Sequence, residues 1–329
     1  MDVDQRRKYR LLYRALFCSL ILAAACTRGR PVWLTWRNSK SKEHNSYSPN
    51  HALRSRIRIH PKGPIRGVNT LEARRFIDRI DGYVHMKCEV AAGVVLPGHS
   101  TTFELLDIPN FTRWEGLRTL DIGPTDGCST FRMERLGARD VFALDVCHPE
   151  RHLFRDLHTL FNSASTFVQA SVYEIPILFE EEYFDFILFA GVFYHLRHPL
   201  LAIDGIWQVL KLGGGLVIET ATMPRNLTSS LTVQLGDHAT AREFIGYHPY
   251  NSLNGDHTNQ FEPSMQALKG MFESSGFVCP HENEAQLRSV LYCTKIANRY
   301  FEETGYRFSD SIKLQHFPLQ ELQSQVAQC

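Results

Sequence analysis

The stretch LDIGPTDGCSTF, residues 120–131, is the part of the sequence that most restricts the fold. An apolar run ends at Asp121, Gly123 and Gly127 follow on either side of Pro124, and small polar residues then begin a helix. A strand that ends in a glycine turn before a helix is typical of α/β proteins, whose ligands lie beyond the carboxyl ends of the strands. The stretch therefore predicts a strand, a ligand-holding turn and a helix.

The same alternation continues on the carboxyl side of this turn. Apolar runs predict strands over residues 117–123, 140–146, 166–172, 184–192, 215–221, 277–282 and 289–296. Helical spacing of apolar residues predicts helices over 129–136, 152–161, 198–211 and 263–277. Strands that alternate with helices indicate the α/β class, here as a doubly wound, mostly parallel, seven-stranded sheet.

Charge is distributed unevenly along the chain. Residues 1–75 contain 17 Lys and Arg against 4 Asp and Glu, whereas the other 254 residues contain 19 against 31. An acidic body disfavours wide contact with nucleic acid, because phosphate neutralisation needs clustered cations. The 8 cysteines form no Cys-x-x-Cys pair and do not lie near paired histidines, so the sequence predicts reduced cysteines and no metal site.

The first 50 residues have the features of a leader rather than of a folded domain. Residues 5–14 are basic, and residues 15–26 form an apolar run that is short for a membrane span. This pattern fits a segment 1–26 that targets the protein to an organelle or anchors it to a membrane. The alternative is a disordered or weakly helical extension without a targeting role, which would leave the protein cytoplasmic.

The spacing of the glycines restricts the ligand. Gly123 and Gly127 match neither the Gly-x-Gly-x-x-Gly turn of dinucleotide sites nor the phosphate loop, which needs a lysine after its last glycine. Asp145 ends the next strand, where a carboxylate can accept hydrogen bonds from two ribose hydroxyls. The combination indicates an adenosine cofactor without a pyrophosphate and disfavours a hydride-transferring enzyme.

Several motifs resemble one superfamily in the expected order. LRTLDIGPTDGCSTFRMERLGARDVFALDV (117–146) resembles the first cofactor motif of class I S-adenosylmethionine-dependent methyltransferases. FDFILFAGVFYHLRHPLLAIDGIWQVLKLGGGLVIET (184–220) resembles their fourth strand, the following helix and the fifth strand. GVFYHLRHPL, GGGLVIET and FVQASVYEI (167–175) resemble the branch that contains the tRNA wobble-uridine 5-oxyacetate synthase. The resemblance covers about residues 80–296 and implies a Rossmann-like methyltransferase fold.

The resemblance also implies a cofactor, S-adenosylmethionine, and eight residues that bind it. These are Asp121 beside the amino-acid part, Gly123 and Gly127 where the backbone approaches the cofactor, Asp145 at the ribose, Ser171 and Val172 beside the adenine, and Ala190 and Gly191 beside the methionine part.

The same resemblance places Tyr194 and His195 at the reacting centre, as the candidate catalytic residues. An imidazole has a pKa suited to a general base, so His195 is the candidate for removing a proton from the acceptor. The alternatives are that His195 only hydrogen-bonds the backbone of its turn and that Tyr194 only packs.

The segments around the main domain complete the predicted organisation. Residues 51–114 are expected to cover the cofactor side, 115–296 to form the methyltransferase domain, and 297–329 to be a tail. Residues 222–262 are long for a connection and predict a lid-like insertion at the rim. The insertion carries candidate acceptor-binding residues, unless it is a polar surface excursion: Tyr247, His248, Asn259 and Phe261.

The sequence favours methyl transfer to a small-molecule acceptor. The alternatives are a tRNA wobble-uridine methyl- or carboxymethyltransferase, and a non-catalytic methyltransferase-like scaffold. The wobble-uridine enzyme holds a carboxylated cofactor with basic residues upstream of the glycine turn. Here that region offers only Arg113 and His99 as cations, which favours ordinary methyl transfer. A membrane would be contacted only through the leader, and no pattern indicates an oligomeric state.

Overall fold

A computed structural model describes residues 66–100, 105–107, 114–235, 244–249, 253, 255–285 and 287–296. The predicted leader 1–50, the candidate cation Arg113 and the predicted tail 297–329 lie outside the described residues. None of the helices within the described ranges is long and apolar enough to cross a membrane.

A seven-stranded sheet forms the centre of the described chain, as the sequence predicts. Its strands are β3 (Arg118–Ile122), β4 (Asp140–Asp145), β5 (Thr166–Gln169), β6 (Phe184–Ala190), β7 (Leu210–Ala221), β10 (Phe277–Ala285) and β11 (Arg288–Lys295). They lie in the order β10-β11-β7-β6-β3-β4-β5. The pairs from β5 to β7 are parallel, and β11 runs antiparallel to both of its neighbours. The mostly parallel α/β sheet is therefore confirmed.

Helices cover both faces of this sheet. On one face α4 (Ile175–Leu178), α5 (Pro199–Val209) and α7 (Met265–Ser274) pack on side chains that include Leu144 and Ile187. On the other face α2 (Cys128–Arg135) and α3 (Phe154–Phe161) pack on side chains that include Ala143 and Phe167. Successive residues of β4 thus enter opposite cores, as expected for a strand buried on both faces.

The segment 66–100, called here the N-terminal segment, packs beside α2 and α3. It contains α1 (Thr70–Ile77) and a short hairpin of β1 (Glu89–Ala91) and β2 (Val94–Val95). Its apolar side chains share one core with those of α2 and α3. This packing attaches the N-terminal segment to the helix that follows the glycine turn.

Four of the cysteines form disulfides, so the expectation of reduced cysteines was wrong. Cys88 of the N-terminal segment pairs with Cys128 at the start of α2, and Cys279 of β10 pairs with Cys293 of β11. The partners are separated by 40 and 14 residues in sequence. Only the folded chain brings them together, which is why the absence of a Cys-x-x-Cys motif was a poor guide.

The predicted helix 198–211 is shorter than expected. It ends at Val209, and Leu210 already belongs to β7, paired with Phe184. The pairing is irregular until Gly215 meets Phe186. Extended pairing with β6 therefore replaces the last helical turn that the apolar spacing suggested. The insertion 222–262 contributes α6 (Arg225–Leu235) and the hairpin strand β8 (Ile245–Tyr247), which pairs with β9 (Phe261–Pro263).

Candidate active site

The carboxyl ends of the parallel strands form one edge of the sheet, called here the rim. Asp121 lies near the end of β3, Asp145 ends β4, Ala190 ends β6, and Glu219 lies near the end of β7. Ligands of doubly wound sheets lie in the crevice outside this edge. The fold thus places the acidic and glycine positions singled out from the sequence along one crevice wall.

The glycine turn is shaped by packing as much as by any ligand. Gly123 and Gly127 have φ values of 75° and 88°, in the left-handed region that favours glycine. A Cβ on Gly123 would lie 2.3 Å from a methyl carbon of Val192. A Cβ on Gly127 would lie 2.7 Å from the rings of Phe131 and Phe154. Both glycines are required by the protein's own neighbours, a role that the sequence reasoning missed.

Two carboxyl groups lie at the floor of the crevice, Asp121 buried and Asp145 half-buried. The carboxyl of Asp121 is 3 % exposed and accepts a 2.6 Å hydrogen bond from the Thr130 hydroxyl. Burial is the main cause that raises its pKa to about 7; the bonds from Thr130 oppose this shift, and the negative charge of Asp145 adds to it. Burial also raises the pKa of Asp145, whose Oδ1 accepts a 2.8 Å bond from the Cys147 N–H. The floor therefore favours a ligand that brings positive charge or hydroxyl donors.

Asp126 is a third acid of the turn, and sequence reasoning did not single it out. It is fully buried, and its Oδ2 accepts bonds of 2.8 and 2.7 Å from the N–H groups of His85 and Met86. Its Oδ1 accepts a 3.1 Å bond from the Leu153 N–H. Asp126 thus joins the N-terminal segment and the start of α3 to the glycine turn.

The other predicted cofactor-binding residues differ in how accessible each is to a ligand in the crevice. Gly191 follows β6 with a φ of 72°, and nothing lies within 4 Å of where its Cβ would be. Ser171 caps the short helix Val172–Glu174, accepting a bond from the Tyr173 N–H, while its own N–H donates to Glu174. Val172 and Ala190 are buried in the apolar core. Of these positions, Gly191 offers the most open approach to the backbone.

His195 is held by a residue of the insertion. Its Nδ1 lies 2.9 Å from the hydroxyl of Thr258, and that hydroxyl lies 2.7 Å from Oδ1 of Asp256. A carboxylate only accepts, so the Thr258 hydrogen points to Asp256, and the Thr258 oxygen accepts from His195 Nδ1–H. Burial lowers the pKa of His195, which the negative charge of Asp256 partly opposes. The tautomer that results carries its lone pair on Nε2.

Arg288 is the cation at this end of the rim. It begins β11 and forms an ion pair with Glu219, in which its Nη2 lies 2.7 Å from Oε2. Its guanidinium lies 5.1 Å from the ring centre of Tyr194, whose ring is 4.1 Å from that of His195. Burial lowers the pKa of Arg288, but Glu219 more than compensates and holds it above the ordinary value. Sequence reasoning missed Arg288 because β11 lies about 90 residues after this turn.

The predicted acceptor-binding residues do not form one cluster. Tyr247 is half exposed and accepts a 3.0 Å bond from Arg197, and its ring lies 5.5 Å from that of Phe261. His248 pairs with Glu262 at 3.1 Å. Asn259 is buried and donates to the Leu253 carbonyl. Their link to His195 is through Thr258, which precedes Asn259 and Phe261 in the chain and contacts the imidazole.

The crevice fits an adenosine cofactor that carries a sulfonium and an ammonium group. Two carboxyl groups with raised pKa values, Asp121 and Asp145, share its floor, so the ionised form of each is stabilised when a cation or a diol approaches. Asp145 would hold the ribose diol, and Gly191 leaves room for the methionine part. In the described ranges, no group of three or more His, Cys, Asp or Glu side chains is arranged to hold a metal ion.

Comparison with known proteins assigns the domain. Residues 120–218 match a family model described as "Methyltransferase domain". A tRNA U34 carboxymethyltransferase of Desulforapulum autotrophicum is 32% identical over 165 residues, which are 49% of this chain and 44% of that protein. Its counterpart in Hahella chejuensis is 32% identical over 145 residues, 42% of this chain and 43% of that protein. The chain contains a class I S-adenosylmethionine-dependent methyltransferase domain.

The methyltransferase domain is also similar to solved structures at low identity. A putative S-adenosylmethionine-dependent methyltransferase from Listeria monocytogenes aligns with a TM-score of 0.46 and 14% identity, over 60% of this chain and 98% of that one. A 1,6-didemethyltoxoflavin-N1-methyltransferase from Burkholderia thailandensis aligns with a TM-score of 0.41 and 17% identity, over 56% and 72%. The chain spans less than half the length of the two curated relatives it matches.

Proposed function

We propose that the protein transfers a methyl group from S-adenosylmethionine to a small-molecule acceptor whose attacking atom loses a proton. The observation that carries this proposal is the chain of contacts from Asp256 through Thr258 to His195. Bound S-adenosylmethionine supplies an activated methyl group on a sulfonium. Displacement of such a group depends mainly on how the acceptor is placed, and a base helps where the acceptor is a hydroxyl or a similar group.

The contacts of His195 suit the role of this base. The Thr258 oxygen accepts from Nδ1–H, and Nε2 makes no hydrogen bond within the described part of the chain. Burial holds the pKa of His195 below its ordinary value, which favours the neutral imidazole, and this form can accept a proton on Nε2. Asp256 then stabilises the imidazolium through Thr258, and its own pKa is lowered by the bonds from Thr258.

The test uses the full chain, methyl-tritiated S-adenosylmethionine and an extract of the source cells, separated into small molecules, RNA and protein. Label in the small-molecule pool is expected, and Asp145→Ala should abolish it. His195→Asn should lower kcat by about 10²–10⁴-fold, the usual range for losing a general base. His281→Asn, on an exposed face of β10, is the matched control.

The pH dependence of kcat/KM shows whether His195 acts as a base or only stabilises the conformation of its turn. At saturating S-adenosylmethionine, the wild-type kcat/KM for the acceptor should rise with pH, with its half-maximum below the ordinary range of a histidine. Asp256→Asn removes the negative charge that raises the pKa of His195, so the half-maximum should move to a lower pH. A profile that is the same in both proteins, or a fully active His195→Asn, would contradict the base and leave methyl transfer standing.

The second candidate is carboxymethyl transfer to a tRNA wobble uridine. It is favoured by the name of the curated relatives and by Arg288. Arg288 is a cation at the rim that comes from β11 and not from the segment upstream of the glycine turn. Arg288 is paired with Glu219, so its charge is already partly balanced. The discriminating assay offers total tRNA with either S-adenosylmethionine or its carboxylated form. Label in tRNA that requires the carboxylated cofactor would replace the small-molecule proposal.

A further inference from the structure

A cavity of about 320 Å³ lies behind the turn that carries Tyr194 and His195, on the side of the insertion. Its walls come from that turn, the start of α5, the β8–β9 hairpin and α7. The lining is mostly apolar and includes Phe193, Leu200, Ile245 and Phe261, together with the polar residues Arg197 and His198. The volume is at the lower end of the range for small-molecule sites, about 300–1,000 Å³.

The cavity has one cation in its wall, and that cation has no acidic partner in the described ranges. Arg197 donates from Nη1 to the Tyr247 hydroxyl at 3.0 Å and to Gln260 Oε1 at 3.2 Å. Both acceptors are neutral, so they fix the guanidinium without balancing its charge. Its Nε–Nη2 edge makes no hydrogen bond to the described residues, and two parallel N–H groups of this kind match one carboxylate.

The mouth of the cavity is apolar and open to solvent. Leu200 and Ile245 are each 50% exposed, and Tyr247 is 53% exposed beside Arg197. Exposed apolar side chains that adjoin a cavity indicate a surface that a ligand covers. A ligand with a flat or branched apolar body and one carboxylate would bury these side chains and pair with Arg197.

Two chain segments that line the cavity also carry or contact the proposed catalytic base. Thr258 contacts His195, and Phe261, three residues further on, lines the cavity. Phe193, two residues before His195 in the same short helical turn, also lines it. We propose that this cavity binds the apolar body of the acceptor and that Arg197 binds its carboxylate. The acceptor is thus a small, mostly apolar carboxylic acid with a second group, a hydroxyl or similar, whose atom bonds to the methyl carbon as the bond from methyl to sulfur breaks and whose proton passes to His195. Calling this ligand the acceptor rests on the proposed methyl transfer; the binding itself does not.

The test measures binding directly, without S-adenosylmethionine. The probe is 2-naphthoate, titrated against the full chain by fluorescence and calorimetry, and its neutral control is 2-naphthamide, which has nearly the same shape. Naphthoate should bind saturably and more tightly than the amide. Arg197→Gln should weaken naphthoate by about ten- to a hundredfold, the usual effect of losing hydrogen bonds to a charged group, and leave the amide nearly unchanged.

Two further variants keep the test specific. Leu200→Gln should weaken naphthoate and naphthamide alike, because it removes apolar lining and no charge. Arg79→Gln, on an exposed arginine near the end of α1, should change neither. Equal binding of acid and amide, an unaffected Arg197→Gln, or no saturable binding overturns the proposal. Naphthoate binding without any methyl transfer to the extract would instead count against the proposed function alone.

Discussion

The affinity for S-adenosylmethionine should depend on pH through Asp121. The unliganded protein holds this buried carboxyl with a pKa of about 7. A cofactor with an ammonium and a sulfonium group favours the ionised form, so binding must first remove the proton wherever it is present. Affinity should therefore rise with pH through about 7 and fall below it.

The size of the effect follows from the titration. A carboxyl with a pKa of about 7 is about 76% ionised at pH 7.5 and about 3% ionised at pH 5.5, so Kd should increase about 25-fold over this range. The increase corresponds to about 2 kcal/mol of binding free energy. The range ends at pH 7.5 because an α-amino group, with a pKa of about 7.7–8.0, is half deprotonated just above this pH.

Calorimetric titration of the full chain with S-adenosylmethionine, at 0.5-unit steps of pH, measures this dependence. Asp121→Asn keeps an acceptor for the Thr130 hydroxyl but cannot titrate, so its Kd should be weaker than that of the wild type at pH 7.5 and change little with pH. Asp145→Asn is the companion variant and should retain the titration of Asp121. A wild-type Kd that is constant from pH 5.5 to 7.5, or an Asp121→Asn profile as steep as the wild type, would refute the reasoning.

Unfolding of the unliganded protein gives an independent measurement of the same carboxyl. A raised pKa means that the folded state keeps a proton that the unfolded state releases, so stability is lost as pH rises from about 4 to about 7. Asp121→Asn removes this loss and should be more stable than the wild type at pH 8, by up to about 4 kcal/mol. The advantage should shrink towards pH 4.

Two further predictions concern the turn and the disulfides. Gly127→Ala should destabilise the protein by about 1–3 kcal/mol in denaturant unfolding, because its Cβ meets the rings of Phe131 and Phe154 at a positive φ; a neutral effect would contradict this packing role. After purification under mildly oxidising conditions, the four cysteines of the two disulfides should be inaccessible to alkylation, and full alkylation without reductant would contradict both pairs. The double variant Cys279→Ser, Cys293→Ser should lower the free energy of unfolding by about 3 kcal/mol, as expected for a disulfide that closes a loop of this length.

The strands of the sheet were the part of the fold that local pattern could predict. Runs such as FDFILFA and GLVIETA consist mostly of consecutive apolar residues. A strand that is buried on both faces has such a continuous apolar run, which can be recognised in the sequence. The start of β7 was missed because Leu210 has the same apolar spacing as the helix before it. Only pairing with Phe184 decides that Leu210 is extended.

The candidate site was predictable where its residues lie at strand ends and not where they come from elsewhere. Asp121, Asp145 and His195 each follow or end an apolar run, so their places on the rim could be inferred from the sequence. Thr258 and Arg288 reach the same place from an insertion and from an antiparallel strand. Nothing local distinguishes them, and their roles depend on contacts across 63 and 69 residues.

The bonds of Asp126 define how short this protein can be made. The matched family range begins at residue 120, which suggests cutting the chain just before β3. Such a cut would remove His85 and Met86, two of the three backbone donors to a fully buried carboxylate, together with the disulfide partner of Cys128. An unsatisfied buried charge is among the costliest defects a fold can carry. A shortened chain should therefore keep the N-terminal segment, which lies well upstream of the matched family range.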